Sequence, residues 1–222
     1  MQSSTEVVLF DMDHTLIHND CDVSWKSFLR DLGRAPQDAV ETAETYYHDY
    51  LANRLAIEEF MDWQLLEIKG MPVSEARDLA QRHFTEIVEP RIYPEALGLV
   101  RGFLADNLPV AIVTSTNDLI AAPVAAHFGI DTVLATELEI RDDRITGGFI
   151  PPYMTGPTKV VRAREFCDGL GVSLQDAAYF GDSTADIPLL RAVGQPHVVN
   201  PKPELLNLAR GEGWPVHSFT QP

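Results

Sequence analysis

The amino-acid sequence predicts an α/β fold in which helices flank an open parallel sheet and an all-helical bundle is inserted after the first strand. Two features predict this fold. Short, continuously apolar runs alternate with stretches of helical periodicity, and a long segment after the first run contains helical patterns alone. Continuous rather than alternating hydrophobicity is typical of strands that are buried on both faces, as parallel strands between two helical layers are.

The predicted strands begin with the run Val7–Phe10. Three later runs have the same character: Val110–Val113, Ala177–Phe180 and Val198–Val199. A helix-like stretch precedes each of them, which is the βαβ order of a Rossmann-like sheet. Two further strands, Glu137–Arg141 and Arg144–Gly147, surround an Asp-Asp pair and are predicted to form a β-hairpin that projects from the sheet.

The segment between the first two predicted strands is predicted to form helices in series. Residues 23–89 carry four stripes of apolar residues at helical spacing, within the ranges 25–32, 40–50, 57–68 and 76–87. Ser74 is predicted to cap the last of these helices and Pro90 to end it. His83 falls on that apolar stripe and is expected to be packed. Residues 1–18 and 91–222 are therefore assigned to an α/β core, and residues 19–90 to a helical cap.

Composition and charge limit the classes of function. The 222 residues include 33 acidic and 17 basic side chains, and the net charge of −16 repels nucleic acid and anionic membrane surfaces. No segment approaches the roughly 20 apolar residues of a membrane-spanning helix, and the first apolar run is too short for a signal peptide. A cytoplasmic protein is expected, with Cys21 and Cys167 as reduced thiols. The sequence leaves the oligomeric state open.

Polar residues follow three of the predicted strands. Asp11 and Asp13 come after the first strand, Thr114 after the second and Asp182 after the third. Ligands of open α/β sheets bind at the carboxyl ends of the strands, so these side chains are expected to converge. Lys159 opens the helix that leads to the third of these strands and would supply an ammonium group.

This set of residues indicates phosphoryl transfer. Asp11 is the candidate nucleophile, because a carboxylate can attack phosphorus to form an acyl phosphate. Asp13 would protonate the leaving alkoxide and then activate the water that cleaves the intermediate. Thr114, Ser115 and the backbone N–H groups of a helix start would hold phosphate oxygens, and Lys159 would balance their charge.

A metal ion is expected at the same place, since clustered carboxylates repel one another unless a cation neutralises them. Mg²⁺ prefers oxygen ligands. Asp11, Asp13 and Asp182 are the candidate ligands, with a backbone carbonyl, water and substrate oxygens completing six. Asp186 is a candidate for an indirect role, in which it orients Lys159 or a water molecule on the metal.

Together these residues resemble the haloacid dehalogenase superfamily. Asp11-x-Asp13-x-Thr15 resembles its first motif, Ile112-Val113-Thr114 its second, Lys159 its third, and Gly181-Asp182-Ser183-x-x-Asp186 its fourth. The motifs occur in the family's order, each at a predicted element boundary, and cover essentially the whole chain. The resemblance implies a phosphatase or phosphomutase, because dehalogenases of the family lack the second aspartate and its ion pumps carry a threonine there.

The helical insert is similar to the cap of the phosphoserine phosphatase-like branch, which selects the substrate. In that branch a glutamate at the position of Asp20 binds the substrate amine, and a cap arginine binds its carboxylate. Residues 60–64 of this chain contain no arginine. The resemblance therefore implies an amine-bearing phosphomonoester without a carboxylate, such as histidinol phosphate. Asp20, Asp22 and Asp62 would face the amine and Trp25 would form an aromatic wall, unless Asp22 merely caps its helix and Asp62 is solvated.

Three alternatives stay open at this point. Phosphoserine could be the substrate after all, and a phosphotransferase or phosphomutase would use the same aspartyl-phosphate with another acceptor. A catalytically silent domain that binds phosphate for regulation is the third, although it would have no need of a nucleophile. A nucleotide-binding oxidoreductase is excluded, because no Gly-x-Gly-x-x-Gly follows Phe10.

Overall fold

The computed structural model describes residues 5–221 and confirms the α/β fold. Within that range the strands are β1 (Val7–Phe10), β2 (Val110–Asn117), β3 (Thr132–Arg141), β4 (Arg144–Ile150), β5 (Ala177–Gly181), β6 (Gln195–Val199) and β7 (Val216–His217). They form one sheet in the order β4-β3-β2-β1-β5-β6-β7. All neighbouring pairs are parallel except β3 and β4, which are antiparallel.

Strand β1 lies at the centre of the sheet and is buried on both faces. Val8 and Phe10 belong to a hydrophobic cluster on one side of the sheet, and Val7 and Leu9 belong to a second cluster on the other. None of the four is more than 1% exposed. Burial on both faces explains why this run is continuously apolar. The neighbours of β1 are β2 and β5, the strands that precede the other predicted site residues.

The helices of the described range are α1 (Cys21–Asp31), α2 (Ala39–Leu51), α3 (Ile57–Gln64), α4 (Val73–His83), α5 (Pro94–Ala105), α6 (Asp118–Phe128), α7 (Pro157–Gly169), α8 (Ile187–Ala192) and α9 (Pro203–Glu212). Of these, α1 to α5 lie between β1 and β2 in the chain. Not one of the helices in residues 5–221 has the length and hydropathy that crossing a membrane requires.

The start and end of α4 differ from the prediction. Ser74 lies inside α4, and Pro72 with its fixed φ takes the N-cap position, so the predicted serine cap is wrong. After α4 the chain continues as a π-helical turn, Phe84–Val88, and a 3-10 turn, Glu89–Arg91. Pro90 therefore lies within the final turn and does not end α4 itself.

Two short segments connect the helical cap to the sheet. The His18 N–H donates to the Arg91 carbonyl at 2.7 Å, and the Tyr93 N–H donates to the Leu16 carbonyl at 3.1 Å. The outgoing and returning segments are therefore paired side by side. They lie at the predicted boundary between core and cap, and the division into two domains stays a prediction.

Strand β3 belongs to the main sheet as well as to the hairpin. Its first half pairs with β2 and its second half with β4. The turn residues Asp142 (φ 48°) and Asp143 (φ 59°) have the left-handed backbone that a tight two-residue loop requires. The predicted hairpin is confirmed, and its backbone pairs with the cap. The Gly70 N–H donates to the Ile145 carbonyl at 2.7 Å, and the Ile145 N–H donates to the Met71 carbonyl at 3.0 Å.

Candidate active site

The carboxyl ends of β1, β2 and β5 lie side by side and bring the predicted site residues together. Asp11 directly follows β1, and its N–H donates to the Phe180 carbonyl of β5 at 2.8 Å. Asp182 directly follows β5, and Thr114 lies within β2. Asp11, Thr114 and Asp182 are all buried. Their convergence follows from the parallel order of the three central strands.

Lys159, the third residue of α7, joins two carboxylates of the site. Its Nζ donates to Asp11 Oδ1 at 2.7 Å and to Asp186 Oδ1 at 2.8 Å. Burial alone would lower the pKa of Lys159, but the charges of Asp11 and Asp186 outweigh it and raise that pKa well above its ordinary value. Lys159 is therefore a fixed, charged ammonium group beside the candidate nucleophile.

Asp186 holds Lys159 in place. Its carboxylate also accepts hydrogen bonds from Tyr179 Oη at 2.6 Å, Ser183 Oγ at 3.0 Å and the Ser183 N–H at 3.2 Å. Burial would raise the pKa of Asp186, but the charge of Lys159 and these hydrogen bonds outweigh it and lower that pKa. A Cβ at Gly181 would lie 2.9 Å from Asp186 Cγ, so the arrangement requires a glycine there. This geometry supports the hypothesis that Asp186 orients Lys159.

Three buried carboxylates of the site form a cluster that fits a metal ion. Oxygen atoms of Asp11, Asp182 and Asp186 all lie within 4.8 Å of one another. Burial, opposed by Lys159 and reinforced by Asp186, raises the pKa of Asp11 to about 7. Burial and the charges of Asp11 and Asp186 raise the pKa of Asp182 well above its ordinary value. Because one ammonium faces three carboxylates, a divalent cation would stabilise their ionised forms.

The carboxylate of Asp13 is held apart from the clustered carboxylates, and its place among the metal ligands stays a prediction. Of the described carboxylates, the set whose oxygens lie close enough together for one ion includes Asp186 and not the carboxylate of Asp13. The Oδ1 atom of Asp13 accepts the Cys21 N–H at 2.8 Å, and its Oδ2 accepts Thr116 Oγ1 at 2.7 Å. Burial, followed by the charge of Asp20, raises the pKa of Asp13 well above its ordinary value. A fixed carboxyl group that protonates readily suits a proton donor.

The segment after Thr114 differs from the expected helix start. Strand β2 continues to Asn117, and α6 begins only at Asp118, where Asn117 accepts the Ile120 N–H at 3.2 Å. The β-branched threonines at 114 and 116 favour the longer strand. Thr114 Oγ1 accepts the Thr116 N–H at 3.2 Å, and Ser115 lines the adjoining cavity. The groups available to phosphate here therefore belong to a strand end, and the prediction of a helix start directly after Thr114 is wrong.

A cavity between the strand ends and the helical cap contains the site. Its lining includes five aspartates: Asp11, Asp13, Asp20, Asp22 and Asp182. It also includes six aromatic or imidazole rings: His14, Tyr46, Tyr47, Tyr50, Phe60 and Tyr153. No lysine or arginine is found among the described residues that line it. The cavity is therefore acidic and aromatic.

Two of the predicted substrate-selecting residues lie elsewhere. Trp25 is 1% exposed and packs against Phe28 and His83 in the cap, because it belongs to the apolar stripe of α1 that faces the cap interior. The aromatic wall predicted from Trp25 is therefore wrong. Asp62 is exposed on α3 and does not line the cavity. His83 is buried, as predicted for a packed histidine.

The aromatic wall is supplied by tyrosines that the sequence analysis assigned to the bundle core or did not single out. Tyr46, Tyr47 and Tyr50 occur within one turn and a half of α2, and Tyr153 precedes α7. The sequence did offer one signal for α2: its apolar stripe contains tyrosines where leucines would be usual. Because a buried hydroxyl group needs a polar neighbour, these tyrosines indicate that the stripe faces a polar cavity. Tyr153 had no such signal, since it lies in an irregular segment.

Comparison with known proteins identifies similar chains. A family model described as haloacid dehalogenase-like hydrolase matches residues 8–191. A histidinol-phosphatase of Neisseria meningitidis serogroup C (strain 8013) is 33% identical over 220 residues, which cover 96% of this chain and 98% of the relative. A crystal structure of a protein of unknown function from Bordetella pertussis Tohama I has a TM-score of 0.87 at 32% identity, covering 96% of this chain and 98% of that one. A phosphoserine phosphatase solved as a phospho-aspartyl intermediate analogue has a TM-score of 0.71 at 18% identity, covering 98% of this chain and 95% of that one, and supports the fold alone.

Proposed function

The chain belongs to the haloacid dehalogenase-like hydrolases and is a phosphatase, and from this premise we propose that it hydrolyses a small phosphomonoester through an aspartyl-phosphate on Asp11. One observation carries the proposal: Asp11 is paired with the buried ammonium of Lys159 at 2.7 Å, whereas Asp13 is held by uncharged donors. Two carboxylates in one short segment thus have different environments, as a nucleophile and a proton donor require.

In the first half of the proposed reaction, an Asp11 carboxylate oxygen attacks phosphorus. The bond from phosphorus to the leaving alkoxide breaks, and Asp13 transfers its proton to that alkoxide oxygen. Lys159, Thr114 and Ser115 bind the oxygens of the transferring group, whose charge they stabilise. The raised pKa of Asp13 supports this role, because the step needs its protonated form.

In the second half, water attacks the phosphorus of the aspartyl-phosphate. Asp13, now ionised, takes a proton from that water, and the bond between Asp11 and phosphorus breaks. Inorganic phosphate leaves, and Asp11 returns to its carboxylate form with Asp13 protonated. The same Asp13 side chain thus serves as acid and then as base, which its two hydrogen-bond donors support by fixing its position.

We propose Mg²⁺ as the metal, held by Asp11 and Asp182. Asp186 is less suited to direct ligation, because both of its oxygens already accept hydrogen bonds. Asp13 would contribute its backbone carbonyl, since its carboxylate is engaged by Cys21 and Thr116. When bound, the ion supplies positive charge that stabilises the transferring phosphoryl oxygens.

We further propose that the substrate carries a cationic amine, with histidinol phosphate as the first candidate. Asp20 and Asp22 line the cavity, and its described lining contains no basic side chain that would pair with a substrate carboxylate. A carboxylate placed there would be desolvated beside like charges, which is costly. The Neisseria meningitidis relative bears the name histidinol-phosphatase, which supports the same choice.

The test is phosphate release from p-nitrophenyl phosphate by wild type and Asp11→Asn, each with Mg²⁺ and with EDTA. We expect turnover that depends on Mg²⁺ and is lost in Asp11→Asn, while the exposed control Asp62→Asn keeps it. Persistent turnover in Asp11→Asn would exclude Asp11 as the nucleophile. With histidinol phosphate and phosphoserine as further substrates, a higher kcat/KM for phosphoserine would overturn the substrate proposal.

A further inference from the structure

The two aspartates on the cap side of the cavity differ in how their carboxylates are bound. Asp20 is the N-cap of α1, where its Oδ1 accepts the Val23 N–H at 2.9 Å. The backbone N–H groups of a helix start stabilise a negative charge at this position. The sequence left open that Asp22 caps α1, and this alternative is wrong, because Asp20 is the cap. Its Oδ1 accepts a hydrogen bond from Gln64 Nε2 of α3 at 2.9 Å.

The ammonium group closest in sequence to Asp22 is bound elsewhere. Lys26 lies one turn further along α1 and is fully buried. Its Nζ donates to the Glu67 carboxylate and to the Trp63 carbonyl at 2.7 Å, and lies 3.9 Å from the centroid of the Trp63 ring. Lys26 and Glu67 thus form an ion pair, and Lys26 acts on Asp22 only through its charge, without contact. Within residues 5–221, no basic side chain forms an ion pair with Asp22.

Gln64 has one polar partner in the described part of the chain. The side chain is 1% exposed, and its Nε2 bonds to Asp22 alone, at Oδ1 and at 3.4 Å to the carbonyl oxygen. Its Oε1 has no hydrogen-bond partner among the residues that the structure describes. A buried amide oxygen without a partner destabilises the fold, so an apolar side chain would serve packing better at this position. What the amide does contribute is a fixed orientation for Asp22.

We infer that Gln64 is a positioning residue for substrate specificity, which holds Asp22 at the cavity wall as the carboxylate that pairs with the cation of the substrate. The inference rests on the proposed function and deepens it. Asp22 on α1 binds the cation, and Gln64 on α3 holds Asp22 in position. Asp20 serves mainly as the N-cap of α1. The substrate class is then a phosphomonoester whose positive charge completes an ion pair that the protein leaves open.

The test measures kcat/KM for histidinol phosphate and for p-nitrophenyl phosphate, and follows the ratio of the two. Gln64→Met keeps the length of the side chain without its hydrogen bonds, and Asp22→Asn removes the charge. We expect each to lower the ratio by at least about tenfold, chiefly through KM for histidinol phosphate. Gln81→Met, at an exposed position of α4, is the matched control and should leave the ratio unchanged.

A double variant separates positioning from a general effect on the fold. If Gln64 acts through Asp22, Gln64→Met should lower the ratio little or not at all in the Asp22→Asn background. An equal further fall in that background would overturn the inference, as would a larger fall in Asp20→Asn than in Asp22→Asn. If Gln64→Met does not fold, an unchanged ratio in Asp22→Asn overturns it by itself.

The wild-type result separates this inference from the proposed function. Turnover of p-nitrophenyl phosphate with Mg²⁺ but no preference for histidinol phosphate would overturn the cation site and leave the phosphatase mechanism standing. Absence of Mg²⁺-dependent turnover with both esters would overturn the proposed function, and the inference with it. A preference for histidinol phosphate that both single variants reduce would support the assignment of Asp22 and Gln64.

Discussion

His83 is expected to make the stability of the helical cap depend on pH. It is 1% exposed, packs against Trp25 and Phe28, and its Nε2 lies 2.9 Å from Ser24 Oγ. Burial lowers the pKa of His83 from 6.5 to about 3. Between these values the folded protein binds fewer protons at His83 than the unfolded chain does. The free energy of unfolding therefore falls as the pH drops below 6.5.

The size of this effect follows from how far the pH lies below the ordinary pKa of histidine. At pH 5, about 1.5 units below the ordinary pKa, the His83 contribution to stability has fallen by about 2 kcal/mol. His83→Gln removes the titration and keeps an acceptor for Ser24. In urea denaturation, wild type is expected to lose about 2 kcal/mol more between pH 8 and pH 5 than His83→Gln does. The exposed His48→Gln should behave as wild type, and equal losses in wild type and His83→Gln would refute the reasoning.

Three further predictions concern the site itself. Asp13→Asn should lower kcat/KM, which reports formation of the aspartyl-phosphate and not its hydrolysis, by about 10²–10⁴-fold for alkyl phosphates. The loss should be smaller for p-nitrophenyl phosphate, whose leaving group needs little protonation, and equal losses in kcat/KM would contradict this. Gly181→Ala should destabilise the protein by about 1–3 kcal/mol in urea, because Asp186 is fixed by its hydrogen bonds; an unchanged midpoint would disprove it. Mg²⁺ should raise the thermal midpoint of wild type but not of Asp182→Asn, and an equal rise in both would place the ion elsewhere.

The central strands could be predicted because burial on both faces leaves a continuous apolar run. The first half of β3, residues 132–136, begins and ends with threonine, and its residues 132–134 are only partly buried, so it lacks that signal. Strand β7 has two residues, too few for any periodicity. The extension of β2 to Asn117 also went unpredicted, because hydrophobicity ends at Val113 while β-propensity continues.

The convergence of Asp11, Thr114 and Asp182 could be predicted because these residues lie at or just beyond the ends of parallel strands, which meet at one edge of the sheet. The cap residues that line the cavity could not be predicted, because they depend on which face of each cap helix packs over the core. Asp22 and Trp25 are one turn apart on α1, yet one lines the cavity and the other is buried in the cap. Gln64 acquires its partner only when α3 packs against α1, a contact across 42 residues of sequence.

Within residues 5–221, bonds join the helical cap to the rest of the protein at two separate places. One is the chain itself, where it leaves and re-enters the core at the paired segments 16–18 and 91–93, and the other is the set of backbone hydrogen bonds between residues 70–73 and the hairpin. A rigid body fixed at one point can turn about any axis, but one fixed at two points turns only about the line between them. Any opening of the cavity that preserves these bonds has a single degree of freedom. By contrast, an exposed hydrogen bond joins α2 to the N-cap residue of α9: Lys202 Nζ donates to Tyr47 Oη at 2.8 Å. Such a rotation would replace this bond by hydrogen bonds to water, at little cost in free energy.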